Sequence, residues 1–414
     1  MTFTSLGLCP ALLRAVSEKN YLAPTAIQQA AIPAILQGQD VLACAQTGSG
    51  KTAAFALPLL QGWQSSRQQS PRRLHALILA PTRELAAQLG DSMLALAQFM
   101  DQAPKIAVLF GGVSINPQMM ALRGGADMVI ATPGRLLDLL AQHALSLAGL
   151  STLVLDEADR LFDLGFTDEI SRILAQLPDN RQNLFFSATF PPAVQALAEK
   201  LLHQPLRLAI RSLPSGEPDI SQRVIAVAPS RRTQLLRHLI QSQGWTQVLV
   251  FVATKYAADT VAAKLGRAKI HAAAFHGEFS QGTRSQTLAN FKAGRLQVLI
   301  ATDLAARGID IAQLPVVVNY DLPRSAVDYT HRIGRTGRAG ESGIAISFVS
   351  ANSEAHFQLI EKRHQLRLPR EQIAGFEPSP EALAAAKHSV HDINGGIKGR
   401  RKSKKDKLRE AANG

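Results

Sequence analysis

Short apolar runs recur along the chain, and each is followed at once by polar or glycine residues. Val41–Cys44, Ala76–Ala80, Ile106–Phe110, Met128–Ala131, Leu153–Leu155 and Leu184–Phe186 form a first series. Val248–Val252, Ile270–Phe275, Val298–Ala301, Val316–Val318 and Ile344–Phe348 form a second. Continuous apolar runs of this kind mark strands buried on both faces, as in parallel sheets covered by helices. Helical patterns such as Leu85–Met100 and Ile170–Leu177 lie between them, and Leu6, Leu8, Leu12, Leu13 and Val16 predict a helix ahead of the first strand. The expected fold class is α/β, with two tandem doubly wound parallel-sheet domains. Ligands of such sheets bind beyond the carboxyl ends of the strands, so the polar residues after the runs fall on one edge.

The stretch 210–219 lacks periodicity and carries Pro214, Gly216 and Pro218, which reads as a linker. It separates an expected domain at residues 1–209 from one at 220–375. Residues 376–414 read as a disordered basic tail, with nine Lys/Arg against three Asp/Glu from Lys387 to Gly414. A net charge of +13 over 414 residues favours a polyanionic partner. Cys9 and Cys44 stand far apart without a CxxC, which suggests neither a disulfide framework nor a zinc site and points to the reducing cytoplasm. No apolar run approaches a membrane span, and Arg14, Glu18 and Lys19 interrupt the leading apolar stretch, unlike a signal peptide.

One loop carries the sharpest chemistry. Ala45-Gln46-Thr47-Gly48-Ser49-Gly50-Lys51-Thr52 follows the first run and opens a helical segment. Glycines let the backbone approach a bound group, and the free N–H groups at a helix start cradle anions. The pattern is GxxxxGK[ST] with Ala45 in place of the first glycine; Lys51 would reach terminal phosphates and the Thr52 hydroxyl would hold Mg²⁺. Alone, the stretch also reads as a Gly/Ser turn before an ordinary helix. Asp156-Glu157-Ala158-Asp159, at the end of another strand, favours the phosphate reading. Mg²⁺ takes hard oxygen ligands, so Asp156 is assigned to its water shell and Glu157 to deprotonating an attacking water. Upstream, Pro24-Thr25 predicts a helix start with Thr25 as N-cap. The Gln28 carboxamide can donate and accept at once, matching the adenine N7 and N6 edge, and Phe3 could stack on the purine face. The second series has no GxxxxGK, but His331-Arg332-Ile333-Gly334-Arg335-Thr336-Gly337-Arg338 sets arginines among glycines. Guanidinium groups fork onto phosphate oxygens, so this loop reads as completing the neighbouring domain's site.

From Phe3 to about Phe348 these motifs resemble those of the DEAD-box RNA helicases. The resemblance rests on Ala45–Thr52, Pro81–Glu84, Thr132–Arg135, Asp156–Asp159, Ser187–Thr189, Ala301–Asp310 and His331–Arg338, all in family order. Phe110-Gly111-Gly112-Val113-Ser114-Ile115-Asn116-Pro117-Gln118-Met119-Met120 further resembles the bacterial RhlE-type branch. The family implies two RecA-like domains, the first including a Q motif over about residues 1–29, that close over ATP, Mg²⁺ and single-stranded RNA. By matching position it places Phe3, Gln28, Asp303 and Asp310 at the nucleotide and Arg335 and Arg338 near the γ-phosphate. Asp159, Ser187, Thr189 and His331 would couple hydrolysis to strand separation. Arg83, Gly112, Thr132, Arg135, Gly277, Arg284 and Thr302 would line the RNA path. Asn20 departs from a usual glycine, and Phe279 from a more usual polar residue.

The implied activity is RNA-stimulated ATP hydrolysis with local unwinding of short duplexes, mostly through phosphate and sugar contacts. With 5% aromatic residues there is little stacking surface for reading base sequence. An ATP-gated RNA clamp or annealing chaperone and a DNA translocase stay open as rivals. A GTPase is disfavoured, since no NKxD-like guanine reader follows the loop. The chain is expected to act as a cytoplasmic monomer, with ribosomal precursor particles or the RNA-decay machinery as partners by analogy.

Overall fold

A computed structural model describes residues 2–45, 48–65, 72–209, 220–306, 311, 314–337 and 342–377. The expected linker and nearly all of the expected tail lie outside the described residues. The Phe376 ring sits 5.3 Å from that of His238. The described residues form two compact units, each with its own seven-stranded sheet.

The first sheet comprises β1 (Val41–Cys44), β2 (Ala76–Leu79), β3 (Ile106–Leu109), β4 (Met128–Ala131), β5 (Thr152–Asp156), β6 (Gln182–Ser187) and β7 (Leu206–Ala209). Its strands are all parallel, in the order β3-β4-β2-β5-β6-β1-β7. The second comprises β8 (Ile220–Ala226), β9 (Val248–Val252), β10 (Ala272–Phe275), β11 (Val298–Thr302), β12 (Val316–Asn319), β13 (Gly343–Val349) and β14 (Arg370–Glu371). It too is all parallel, in the order β10-β11-β9-β12-β13-β8-β14. Counted from the first strand of each unit, the two orders are the same.

Because successive strand residues point to opposite faces, the first sheet feeds two cores. Val41, Ala43, Ile78, Ile130, Val154, Leu184 and Phe186 join one. Leu42, Leu77, Leu79, Val129, Leu153, Leu155 and Phe185 join the other. Phe186 packs 5.3 Å from Phe55 of the helix Lys51–Ser65, which fixes that helix behind the phosphate-type loop. Truncating such a buried ring to alanine costs about 3–5 kcal/mol.

Three strands have no counterpart among the sequence runs: β7, β8 and β14. β7 and β14 are sheet edges, and β7 alternates half-buried with exposed residues. An edge strand buries less surface and carries a weaker apolar signal. The helices are also displaced. The helix expected at Leu85–Met100 spans Arg83–Ala97, because the Thr82 hydroxyl accepts the Leu85 N–H at 3.2 Å and starts it early. Ahead of β1 the expected single helix is a 3-10 turn, Phe3–Leu6, and a helix, Pro10–Glu18. Asn20 adopts φ 55°, a left-handed conformation that Asn tolerates, so the missing glycine is accommodated.

Candidate functional site

The strand order divides the carboxyl edge of the first sheet into two halves. The loops after β5, β6 and β1 stand side by side, with Cys44 of β1 in register with Ser187 of β6, and Asp156 of β5 with Phe186 of β6. The loops after β3, β4 and β2 form the other half.

After β1, Gly48 and Gly50 take φ 82° and 93°, conformations that glycine reaches without strain. A Cβ on Gly50 would lie 2.5 Å from Gln28 Nε2 and 2.8 Å from Thr25 Oγ1. Thr25 and Gln28 form a capping box at the head of the helix Ala26–Leu36. Gln28 Oε1 accepts the Thr25 N–H at 2.9 Å, and Nε2 donates to the Gly50 carbonyl at 3.1 Å. Gln28 is therefore a fastener between the leading helix and the loop, with one N–H and one lone pair to spare. Phe3 is 6% exposed and packed in the hydrophobic core, so the stacking face expected of it is not presented to a ligand; an aromatic ring gains more from that core. Lys51 is buried and its ammonium donates to the Ala45 carbonyl at 2.7 Å. Thr52 follows in the first helical turn. The buried Ser49 hydroxyl has no hydrogen-bond partner among the described residues. Gln46 and Thr47 lie outside them.

At the end of β5, burial pushes the Asp156 carboxyl up to about 7; the nearby Lys51 charge opposes this and the Glu157 charge adds to it. Glu157 takes φ 49°, unusual for a residue other than glycine, and caps the helix Ala158–Asp163. Its N–H donates to Asp156 Oδ1 at 3.0 Å, which fixes the two carboxylates relative to each other. Asp159 Oδ2 accepts the Thr189 hydroxyl at 2.7 Å and the Thr189 N–H at 3.0 Å. The Ser187 hydroxyl accepts the Asp159 N–H at 3.1 Å and donates to the Thr189 carbonyl at 2.6 Å. The ends of β5 and β6 are thus tied by three bonds, and the fourth folds the end of β6 on itself.

On the other half of the edge, Gly112 has φ 73°, and a Cβ there would collide with the Arg83 guanidinium. Arg83 and Gly112 are therefore in close approach. Thr132 caps the helix Pro133–Ala141, in which Arg135 is buried. Arg135 Nη2 donates to the Val113 carbonyl at 2.8 Å, while Nε and Nη1 have no hydrogen-bond partner among the described residues. Nε is ion-paired with Asp138 Oδ2 at 3.6 Å, and a phosphate oxygen would satisfy the buried Nη1.

In the second unit, Gly277 follows β10 and Thr302 ends β11, on neighbouring strands. Arg284 is buried with its guanidinium 5.0 Å from the Phe275 ring centre. Phe279 stacks on His276 at 4.2 Å, and His276 Nε2 lies 3.1 Å from Asp259. Asp303, expected near the nucleotide, is paired with Arg332. Arg332, 2% exposed, forks onto both its oxygens, Nε to Oδ1 at 2.6 Å and Nη2 to Oδ2 at 2.7 Å. The same guanidinium reaches Asn319 Oδ1 at 3.1 Å and the Asp321 carbonyl at 2.6 Å. It braces the helix Ala326–Ile333, which carries His331, and the following turn with Arg335. Asp310 and Arg338 lie outside the described residues.

The family described as DEAD/DEAH box helicase matches residues 25–197, and the helicase conserved C-terminal domain matches residues 231–340. The ATP-dependent RNA helicase DeaD of Mycobacterium tuberculosis is 39% identical over 396 residues, 95% of this chain and 69% of the relative. The chain belongs to the DEAD-box helicase family. DeaD of Escherichia coli K12 is 42% identical over 376 residues, 91% of this chain; the match spans 59% of that longer relative. The structure of S. cerevisiae Dbp5 bound to RNA and ADP BeF3 aligns with a TM-score of 0.79 at 30% identity, covering 94% of this chain and 99% of that one.

The DEAD-box residues brought together are Gln28 with Gly50, Asp156 with Glu157, Asp159 with Ser187 and Thr189, and Arg83 with Gly112. The sequence alone does not single out Arg332, although it sits inside the arginine motif, or the close approach of Thr25, a helix cap, to Gly50. The cradle suits a polyphosphate: two left-handed glycines, a buried lysine and a hydroxyl without a partner among the described residues lie along one loop. The oxygens of Thr52 and Asp156 are of the type that Mg²⁺ takes. Among the described residues no helix is long and apolar enough to cross a membrane.

Proposed function

We propose that the chain is an ATP-dependent RNA helicase that hydrolyses ATP and locally opens short RNA duplexes. The observation that carries the proposal is the β5-β6-β1 half-edge, where the Ser49 hydroxyl has no partner among the described residues beside a glycine cradle and Asp156 sits within the field of Lys51. The backbone N–H groups of Gly48–Thr52 bind phosphate oxygens and Lys51 turns from Ala45 to neutralise them. Glu157 accepts a proton as water oxygen bonds to the γ-phosphorus and the bridging P–O bond to ADP breaks. Mg²⁺, when bound near Thr52 and Asp156, supplies further charge neutralisation at the phosphate oxygens. The Asp159–Ser187–Thr189 ties pass loss of the γ-phosphate to the sheet edge. Arg83, Gly112, Thr132 and Arg135 hold phosphates and sugars of one RNA strand, a grip a straight duplex does not fit. RNA as partner is supported by the RNA in the yeast relative's structure. The RhlE-type branch stands on Phe110–Met120 alone, and the relatives named DeaD favour another branch.

Glu157→Gln tests the core of this reading. ATP binding should persist while hydrolysis falls by about 10²–10⁴-fold; unimpaired turnover would remove Glu157 as the base. Strand displacement with RNA and DNA duplexes tests the substrate, and activity confined to DNA would overturn the RNA assignment.

A further inference from the structure

β2 and β9 hold the same place in their two sheets. After β2, Thr82 caps the next helix with φ −132° and ψ 156°; after β9, Thr254 does so with φ −135° and ψ 153°. Each hydroxyl accepts the N–H three residues on. Lys255 and Tyr256 therefore stand in the second unit where Arg83 and Glu84 stand in the first. Glu84 is buried, whereas Tyr256 is 77% exposed. An aromatic ring gains more than most side chains from burial, in a chain where aromatics are only 5% of residues. Lys255 is ion-paired with Glu278, the neighbour of Gly277 in the loop after β10. Since β11 lies between β10 and β9, Gly277, Thr302 and Lys255 form a row across three adjacent strand ends, with Tyr256 at its end.

We propose that Tyr256 is a stacking platform for one base of the bound single-stranded RNA, resting on the RNA reading above. Phosphate contacts hold a strand but leave its bases free to turn, and an exposed ring beside such contacts captures a base whatever its identity. The full chain is titrated with a single-stranded RNA oligomer in the presence of a non-hydrolysable ATP analogue, and with the same strand carrying base-free ribose residues. Tyr256→Ala should weaken binding of the base-bearing strand about tenfold, and Tyr256→Phe should restore it. On the base-free strand, wild type and Tyr256→Ala should bind alike. Equal binding of the base-bearing strand by wild type and Tyr256→Ala would overturn the proposal and leave the ring to a protein partner. Equal losses on both strands would also overturn it, marking a structural effect. Failure of the wild type to bind either strand would remove the RNA reading itself.

Discussion

The two units share one strand order but treat the same place in it differently. In the first, β1 leads through Gly48 and Gly50 to Lys51, which heads a helix and whose charge acts on Asp156 at the end of β5. In the second, β8 leads through Val227-Ala228-Pro229-Ser230-Arg231 to Arg232, which also heads a helix. Its partner is Asp321, just beyond β12, the counterpart of β5. Arg232 Nη1 donates to Asp321 Oδ1 at 2.8 Å and Nη2 to the Ser350 hydroxyl at 3.4 Å, while Asp321 Oδ2 accepts the Ala253 N–H at 2.9 Å. Here the cation is consumed by its own unit, and the loop has a proline, which offers no N–H, in place of glycines. A cation at a helix head becomes a ligand site only where the loop stays open and the charge is not already spent.

The largest expected effect breaks this comparison directly. Lys51→Ala should lower ATP turnover by about 10²–10³-fold, the cost of losing one charged stabiliser, without lowering the urea midpoint. Arg232→Ala should do the reverse. ATP binding, followed by calorimetry, should persist, while stability falls by about 2–3 kcal/mol, since hydrogen bonds to charged groups are the strong ones. If Arg232→Ala lowered ATP turnover as far as Lys51→Ala should, the second site would not be the self-satisfied joint described above.

Gly50→Ala sharpens the account of the open loop. Alanine resists φ 93° and its Cβ would press on Gln28 and Thr25, for a cost of about 2 kcal/mol. In a Gln28→Ala background part of that cost should return. An identical penalty in both backgrounds, read from urea unfolding, would show that Gln28 is not the obstruction.

Much of this was legible in sequence because central parallel strands are apolar throughout, and the site residues sit directly behind them. The runs ending at Cys44, Leu155 and Phe186 located the loop, Asp156 and Ser187 without any knowledge of strand order. What could not be read was pairing. Asp159 with Thr189, and Arg332 with Asp303, are separated by 30 and 29 positions, and only the sheet brings them together. Phe3 and Gln28 show a second limit. Position in a motif says that a residue matters, while burial and hydrogen bonds decide whether it meets a ligand or holds the loop. β14 shows a third, since two residues carry no period at all.

The smallest expected effect concerns the last strand of each sheet. β7 joins the first sheet by a four-residue ladder beside β1, extended by the Leu206 N–H donating to the Asp40 carbonyl at 2.8 Å. β14 pairs only two residues with β8 and is held by charges instead. Arg223 forks onto Glu371 at 3.0 and 2.6 Å, and Arg370 reaches Glu361 Oε1 and Oε2 at 2.8 Å each. Those Arg370 bonds hold the Glu361 carboxyl below its ordinary value of 4.5, with burial opposing and the Leu368 N–H assisting. A depressed carboxylate pKa adds stability that is complete above the unfolded value and disappears as pH falls through the folded one. Glu361→Gln should therefore cost about 1 kcal/mol at neutral pH. The gap from wild type should close as pH falls below about 4.5. Urea midpoints measured across that window decide the matter, because a gap that stays constant would mean that packing, not the ion pair, anchors this edge.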